Sequence, residues 1–96
     1  MKKGYVIGQI KIKNAEHYKE YASKTEAILK KYGGKYLVRG GIQDVREGTA
    51  LGDRDVVLEF ESLDKAKAYY ESNEYQEIIN IRKENSDGYI LFVEGY

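Results

Sequence analysis

The chain has 96 residues, 42% hydrophobic and 33% charged, with ten Tyr, no Pro, no Cys and a net charge of zero. This composition excludes collagen-like, low-complexity and disordered classes, and the missing cysteines exclude disulfides, thiolate catalysis and Cys-based zinc or iron–sulfur sites. The length fits one domain, residues 1–96, whose core is small enough that a second subunit would help it.

The N-terminal segment begins with basic residues and a short apolar stretch, but Gly8, Gln9 and Lys11 interrupt it, so a signal peptide is not expected there. No 18-residue apolar run follows, and the expectation is a soluble, cytoplasmic protein with no membrane partner. Gly4 to Lys13 instead alternates, Val6, Gly8, Ile10 and Ile12 against Tyr5, Ile7, Gln9 and Lys11, which predicts a strand with two different faces. Asn14 then offers an N-cap to an amphipathic helix carrying Tyr18, Tyr21, Ala22, Thr25, Ile28, Leu29 and Tyr32. Gly33 supplies its left-handed C-terminal stop.

Lys35 to Val45 reads as a second strand, with Tyr36 and Val38 on one side and Leu37 and Arg39 on the other, and with a bulge or bend at Gly40-Gly41. A loop over residues 47–53 precedes a third strand, Asp55 to Glu61. There Val56, Leu58 and Phe60 oppose Val57, Glu59 and Glu61. Ser62 caps a second helix with Leu63, Ala66, Tyr69 and Tyr70, interrupted near Asn73; the next turns put Tyr75, Ile78, Ile79 and Arg82 on one stripe. Residues 85–88 read as a turn, and Tyr89 to Glu94 as a last strand apolar on both faces.

The order βαββαβ predicts an α+β, ferredoxin-like fold: one four-stranded antiparallel sheet with both helices on one face. The other face carries Tyr5, Ile7, Val57, Leu91 and Val93. A patch of that kind calls for a partner, so a sheet-to-sheet homodimer is expected.

Four segments, Lys31-Tyr32-Gly33-Gly34-Lys35-Tyr36-Leu37-Val38-Arg39-Gly40-Gly41, Val57-Leu58-Glu59-Phe60, Tyr70-Glu71-Ser72-Asn73-Glu74-Tyr75-Gln76 and Val93-Glu94-Gly95, closely resemble the domain of unknown function 1330 family, in order and spacing. The resemblance implies a dimeric α+β barrel, in which two ferredoxin-like sheets face each other around a possible ligand cavity. The family's activity is not established. Ala15 and Glu61 stand where the family usually has Pro. Related barrels include cofactor-independent monooxygenases, isomerases, haem enzymes and ligand sensors, so fold analogy chooses no reaction.

Alternation puts Arg39 and Glu59 on the face away from the helices, on neighbouring strands, where a guanidinium–carboxylate pair would bind an anionic or enolic ligand and Glu59 would serve as a base. Tyr5 and Gln9 share that face and would line the same cavity. The expected ligand site is therefore Tyr5, Gln9, Arg39 and Glu59, with Arg39, Glu59 and Tyr5 as candidate catalytic groups. The plainer alternative is a non-catalytic ligand-binding or structural dimer in which Arg39 and Glu59 only fix subunit register; if the pair is buried, Arg39→Ala strands a carboxylate and costs about 3–5 kcal/mol.

His17, the only histidine, falls in the first helical turn and reads as exposed; no metal and no cofactor are expected. The paired glycines lack a phosphate-loop context. Residues 1–39 hold ten Lys/Arg and three Asp/Glu, against six and thirteen in residues 40–96. This split is expected to pair one half with the other rather than to bind nucleic acid, because the third strand carries carboxylates where an RNA-recognition module carries basic and aromatic groups.

Overall fold

The alternating apolar residues of the N-terminal segment form a nine-residue strand, β1 (Gly4–Ile12), in the computed structural model, which describes residues 1–96. Chain order continues with α1 (Ala15–Lys31), β2 (Lys35–Arg39), β3 (Arg54–Phe60), α2 (Leu63–Glu71), α3 (Asn73–Asn85) and β4 (Ser86–Glu94). The four strands make one antiparallel sheet in the order β2-β3-β1-β4, the ferredoxin-like arrangement, with all three helices packed on one face.

The caps stand where the sequence signals them. The Asn14 side chain accepts from the His17 amide, and at the other end of α1 the Gly33 and Gly34 amides donate to the Lys30 and Leu29 carbonyls at 3.1 and 2.9 Å. Gly33 takes φ +77°, which a side chain would strain, so the helix stops there. Ser62 caps α2 by accepting from the Lys65 amide. The interruption expected near Asn73 falls at Ser72. Its hydroxyl accepts from the Tyr75 amide and donates to the Tyr69 carbonyl, ending α2 and starting α3 at once.

Two boundaries differ from the sequence reading. β2 ends at Arg39 rather than Val45, because Gly40 and Gly41, both at φ above +70°, turn the chain out of the sheet. No turn separates α3 from β4. Lys13 and Asn14 both donate their amides to the Asn85 carbonyl, which pairs Ile12 with Ser86 directly after the helix, and Asp87 faces Lys13 at 3.6 Å.

Helix-facing strand residues Val6, Ile10, Leu58 and Phe60 form the core with Tyr21, Leu29, Ala66, Tyr69, Tyr75, Ile78 and Ile79 of the helices. Phe60 and Leu29 are almost fully buried, each contributing roughly 1.5–3 kcal/mol by the area it removes from water. On the opposite face Ile7 sits between Val57 and Leu91, and Tyr5 between Glu59 and Val93. Leu91 and Val93 are 42% and 41% exposed. Four of the seven ion pairs, Lys3–Glu59, Lys35–Glu59, Lys13–Asp87 and Lys31–Glu74, join the basic first part of the chain to the acidic remainder. No helix is long and apolar enough to cross a membrane.

Candidate functional site

Three of the four expected site residues lie on the uncovered face. Tyr5 and Glu59 are cross-strand partners, and the Tyr5 hydroxyl donates to a Glu59 carboxylate oxygen at 3.2 Å. Lys35 approaches the same carboxylate at 3.3 Å and Lys3 at 3.9 Å, leaving the Glu59 side chain only 13% exposed. Burial alone would raise the Glu59 pKa, but Lys35 and the Tyr5 hydroxyl outweigh it and hold the carboxyl below its ordinary value. Burial, and then the bond to Glu59, push the Tyr5 phenol up. Gln9 donates to Asp55 at 3.0 Å and accepts from the Leu51 amide, while Gln43 donates to the other Asp55 oxygen at 2.7 Å. These two amides hold the Asp55 carboxyl below its usual range. Gln9 and Asp55 also border an open, polar cleft under residues 43–50.

Arg39 is not with them. A register shift between Tyr36 and Val38 places Val38 opposite Val57 and Arg39 opposite Val56, so Leu37 is an extra residue and every side chain after it changes face. Arg39 therefore points to the helix side. It pairs there with Glu26 at 3.1 Å, donates to the Ala22 carbonyl and covers the Tyr36 ring at 4.5 Å, with 39% of its side chain exposed. The expected Arg39–Glu59 pair does not form. None of the three main cavities touches Arg39, Glu59 or Tyr5.

A partly enclosed cavity lies between the sheet and the helices. It has a volume of about 40 Å³, room for a few waters or a short ligand, and twelve of its sixteen lining residues are hydrophobic. Val6, Gly8 and Ile10 form its floor on β1. Gly8 keeps the floor open, since a Cβ there would meet the end of Ile90 at 2.7 Å. Six tyrosines, two arginines and a threonine line it, with no carboxylate and no histidine.

The polar groups converge from separate elements. Tyr21 of α1 and Tyr75 of α3 share a hydroxyl–hydroxyl hydrogen bond of 2.7 Å, and Thr25 meets the Tyr36 hydroxyl at 3.1 Å. Arg82 of α3 is 9% exposed, forms no ion pair, and its Nε has no hydrogen-bond partner. Arg54 at the start of β3 also lacks an ion pair and an Nε partner, and lies over the Tyr18 ring at 5.5 Å. Burial pushes the Tyr18, Tyr21 and Tyr69 phenols above their ordinary value, so at neutral pH they stay protonated and can donate. Burial also opposes the charge on Arg82, but the facing Tyr75 and Tyr21 oxygens more than reverse this and leave it firmly protonated.

Arg82 was legible only as a misfit. Its stripe on α3 is otherwise Tyr75, Ile78 and Ile79, and a charged residue at a core position is the signal that marks it. Arg54 precedes the alternating run and gives no such sign. His17 sits in the first turn of α1, exposed, and no group of three or more His, Cys, Asp or Glu side chains is arranged to hold a metal ion.

The family model described as "Domain of unknown function (DUF1330)" matches residues 3–96. No curated protein matches the chain. Among solved structures, the RPA0582 protein of unknown function from Rhodopseudomonas palustris is 15% identical with a TM-score of 0.80, over 99% of this chain and 83% of that one. SnoaB, a cofactor-independent oxygenase from Streptomyces nogalater, is 11% identical with a TM-score of 0.66, over 100% and 95%. A dimeric protein of unknown function with a ferredoxin-like fold from Bacteroides fragilis is 16% identical with a TM-score of 0.57, over 97% and 95%. At these identities the likeness is one of fold.

Proposed function

This chain belongs to the domain of unknown function 1330 family, and from that premise we propose that it is a homodimeric α+β barrel protein that binds a small, partly apolar molecule between its sheet and its helices. One observation carries the reading: the partly enclosed, mostly apolar cavity with converging hydroxyl and guanidinium donors lies on the helix side, whereas Tyr5, Arg39 and Glu59 touch none of the main cavities. The uncovered face is then the subunit interface. A second copy would cover Ile7, Val57, Leu91 and Val93, and that the Bacteroides fragilis neighbour is dimeric supports pairing of two copies. Tyr5, Gln9 and Glu59 serve in this reading to fix subunit register. Arg39, on the helix side with Glu26, has no part in either role.

The cavity lining holds no carboxylate and no histidine, burial keeps its Tyr18, Tyr21 and Tyr69 phenols protonated, and Glu59 faces the other way, so it offers hydrogen-bond donors and no general base. Binding is therefore what its own groups support. Titration with 1-butanol, followed by amide chemical shifts, tests the reading. The Gly8 and Ala22 amides should move, and Ala22→Leu, which fills the cavity, should suppress the movement. Shifts confined to Ile7 and Leu91 on the other face would overturn it.

A further inference from the structure

Resting on that reading of the cavity, we infer that its ligand is a small monocarboxylate, an apolar body ending in one carboxylate group, anchored by Arg82. The first observation is a charge without a counter-charge. Arg82 is more than nine-tenths buried, lines the cavity, and has neither an ion-pair partner nor a partner for its Nε. The Tyr75 and Tyr21 oxygens face this guanidinium and offset its burial, but they are neutral hydroxyls rather than a counter-ion, and the buried Nε donor stays unpaired. Stripes of this kind carry Leu or Ile unless the charge has a use, and the neighbours Ile78 and Ile79 show what the position would otherwise hold.

The second observation is the sign of everything else there. The lining contains no carboxylate and no imidazole, while Tyr21, Tyr69 and Tyr18 are held in the protonated, donating form by burial. Arg54, half-buried over Tyr18, adds a second positive charge without a carboxylate of its own. A site that offers donors and positive charge but no acceptor anion is complementary to an oxyanion, and a guanidinium matches a carboxylate through two parallel N–H···O bonds. Size and polarity choose among oxyanions. The cavity is small and mostly apolar, so the rest of the ligand must be short and oily, and a multiply charged phosphate would leave most of its oxygens facing Val6, Leu58 and Ile90.

Butyrate and butyramide have the same shape and differ in charge, which makes them the probes. Titrated at pH 7 and read by the Gly8 and Ala22 amide shifts, butyrate should bind about tenfold or more tightly than butyramide, the ratio expected for a hydrogen bond to a charged group. Arg82→Met should erase that ratio, and Arg82→Lys should keep part of it. Equal or weaker binding of butyrate in the natural chain overturns the carboxylate inference while leaving the cavity reading intact, since 1-butanol still reports on that. If no probe, 1-butanol included, moves these amides, both fall together. Should Arg82→Met fail to fold, the comparison of the two probes on the natural chain decides alone.

Discussion

The hydroxyls of Tyr21 and Tyr75 meet at 2.7 Å and join α1 to α3 across 54 residues of sequence. Each is the other's partner in a buried setting, and both rings pack edge-on at 6.2 Å. Tyr75→Phe should strand the Tyr21 hydroxyl and cost about 1–3 kcal/mol in urea denaturation, while Tyr21→Phe, which leaves Tyr75 facing Arg82, should cost less. The double substitution leaves neither hydroxyl unpaired, so its cost should fall short of the sum, less what Arg82 loses with the two oxygens that face it. Strictly additive costs would mean the two hydroxyls do not depend on each other.

Arg39→Ala should lose no more than about 1 kcal/mol, because its partner is the exposed Glu26 rather than a buried carboxylate. Denaturant midpoints of the two proteins check this. A loss of 3 kcal/mol or more would restore the face that strict alternation assigns to it.

Acid should weaken the sheet through Glu59 and Asp55. Both carboxyls titrate lower in the fold than the roughly 4.3 and 3.9 of free Glu and Asp. Between the folded and unfolded values the unfolded chain binds more protons, so stability rises with pH there; the contribution is complete above the unfolded values and disappears as pH falls through the folded ones. Urea midpoints from about pH 6 down to about pH 3 should therefore fall, and Glu59→Gln should flatten the descent. Parallel profiles for the two proteins would show that Glu59 does not contribute.

Gly34→Ala should destabilise by about 1–3 kcal/mol through overpacking. A Cβ at this position would lie 2.6 Å from the Phe60 ring and closer still to the Leu29 side chain, two of the most buried groups in the chain. Thermal unfolding measures the effect; an unchanged midpoint would mean that the Leu29–Phe60 contact yields freely.

Light scattering at micromolar concentration should give the mass of two subunits, and Leu91→Glu should reduce it to one by placing a charge between Ile7 and its neighbours on the uncovered face. A monodisperse monomer in the natural protein would contradict sheet-face pairing.

Element order, helix caps and the two-sided character of β1 are legible in the chain because they depend on local periodicity and on Asn14, Gly33 and Ser62, whose partners lie within a few residues. The side on which Arg39 falls is not. It turns on one unpaired residue, Leu37, and nothing in Lys35-Tyr36-Leu37-Val38-Arg39 distinguishes a regular strand from a bulged one. The cavity escapes the sequence for another reason. Tyr18, Tyr21, Tyr69 and Tyr75 all occupy ordinary core positions, and only their meeting around Gly8 and Arg82 leaves a space.

Ser72 gives that space its shape. At about 100° per residue, a single straight rod from Leu63 to Asn85 would splay positions 69 and 75 roughly 120° apart around its axis, and one ring would look into solvent. The joint at Ser72 re-aims the second segment, bringing the two rings to 4.9 Å on the same side. That part of the chamber's wall is thus assembled from two short pieces set at their own angles, and a residue that only trims backbone ends decides where Tyr69, Tyr70 and Tyr75 converge.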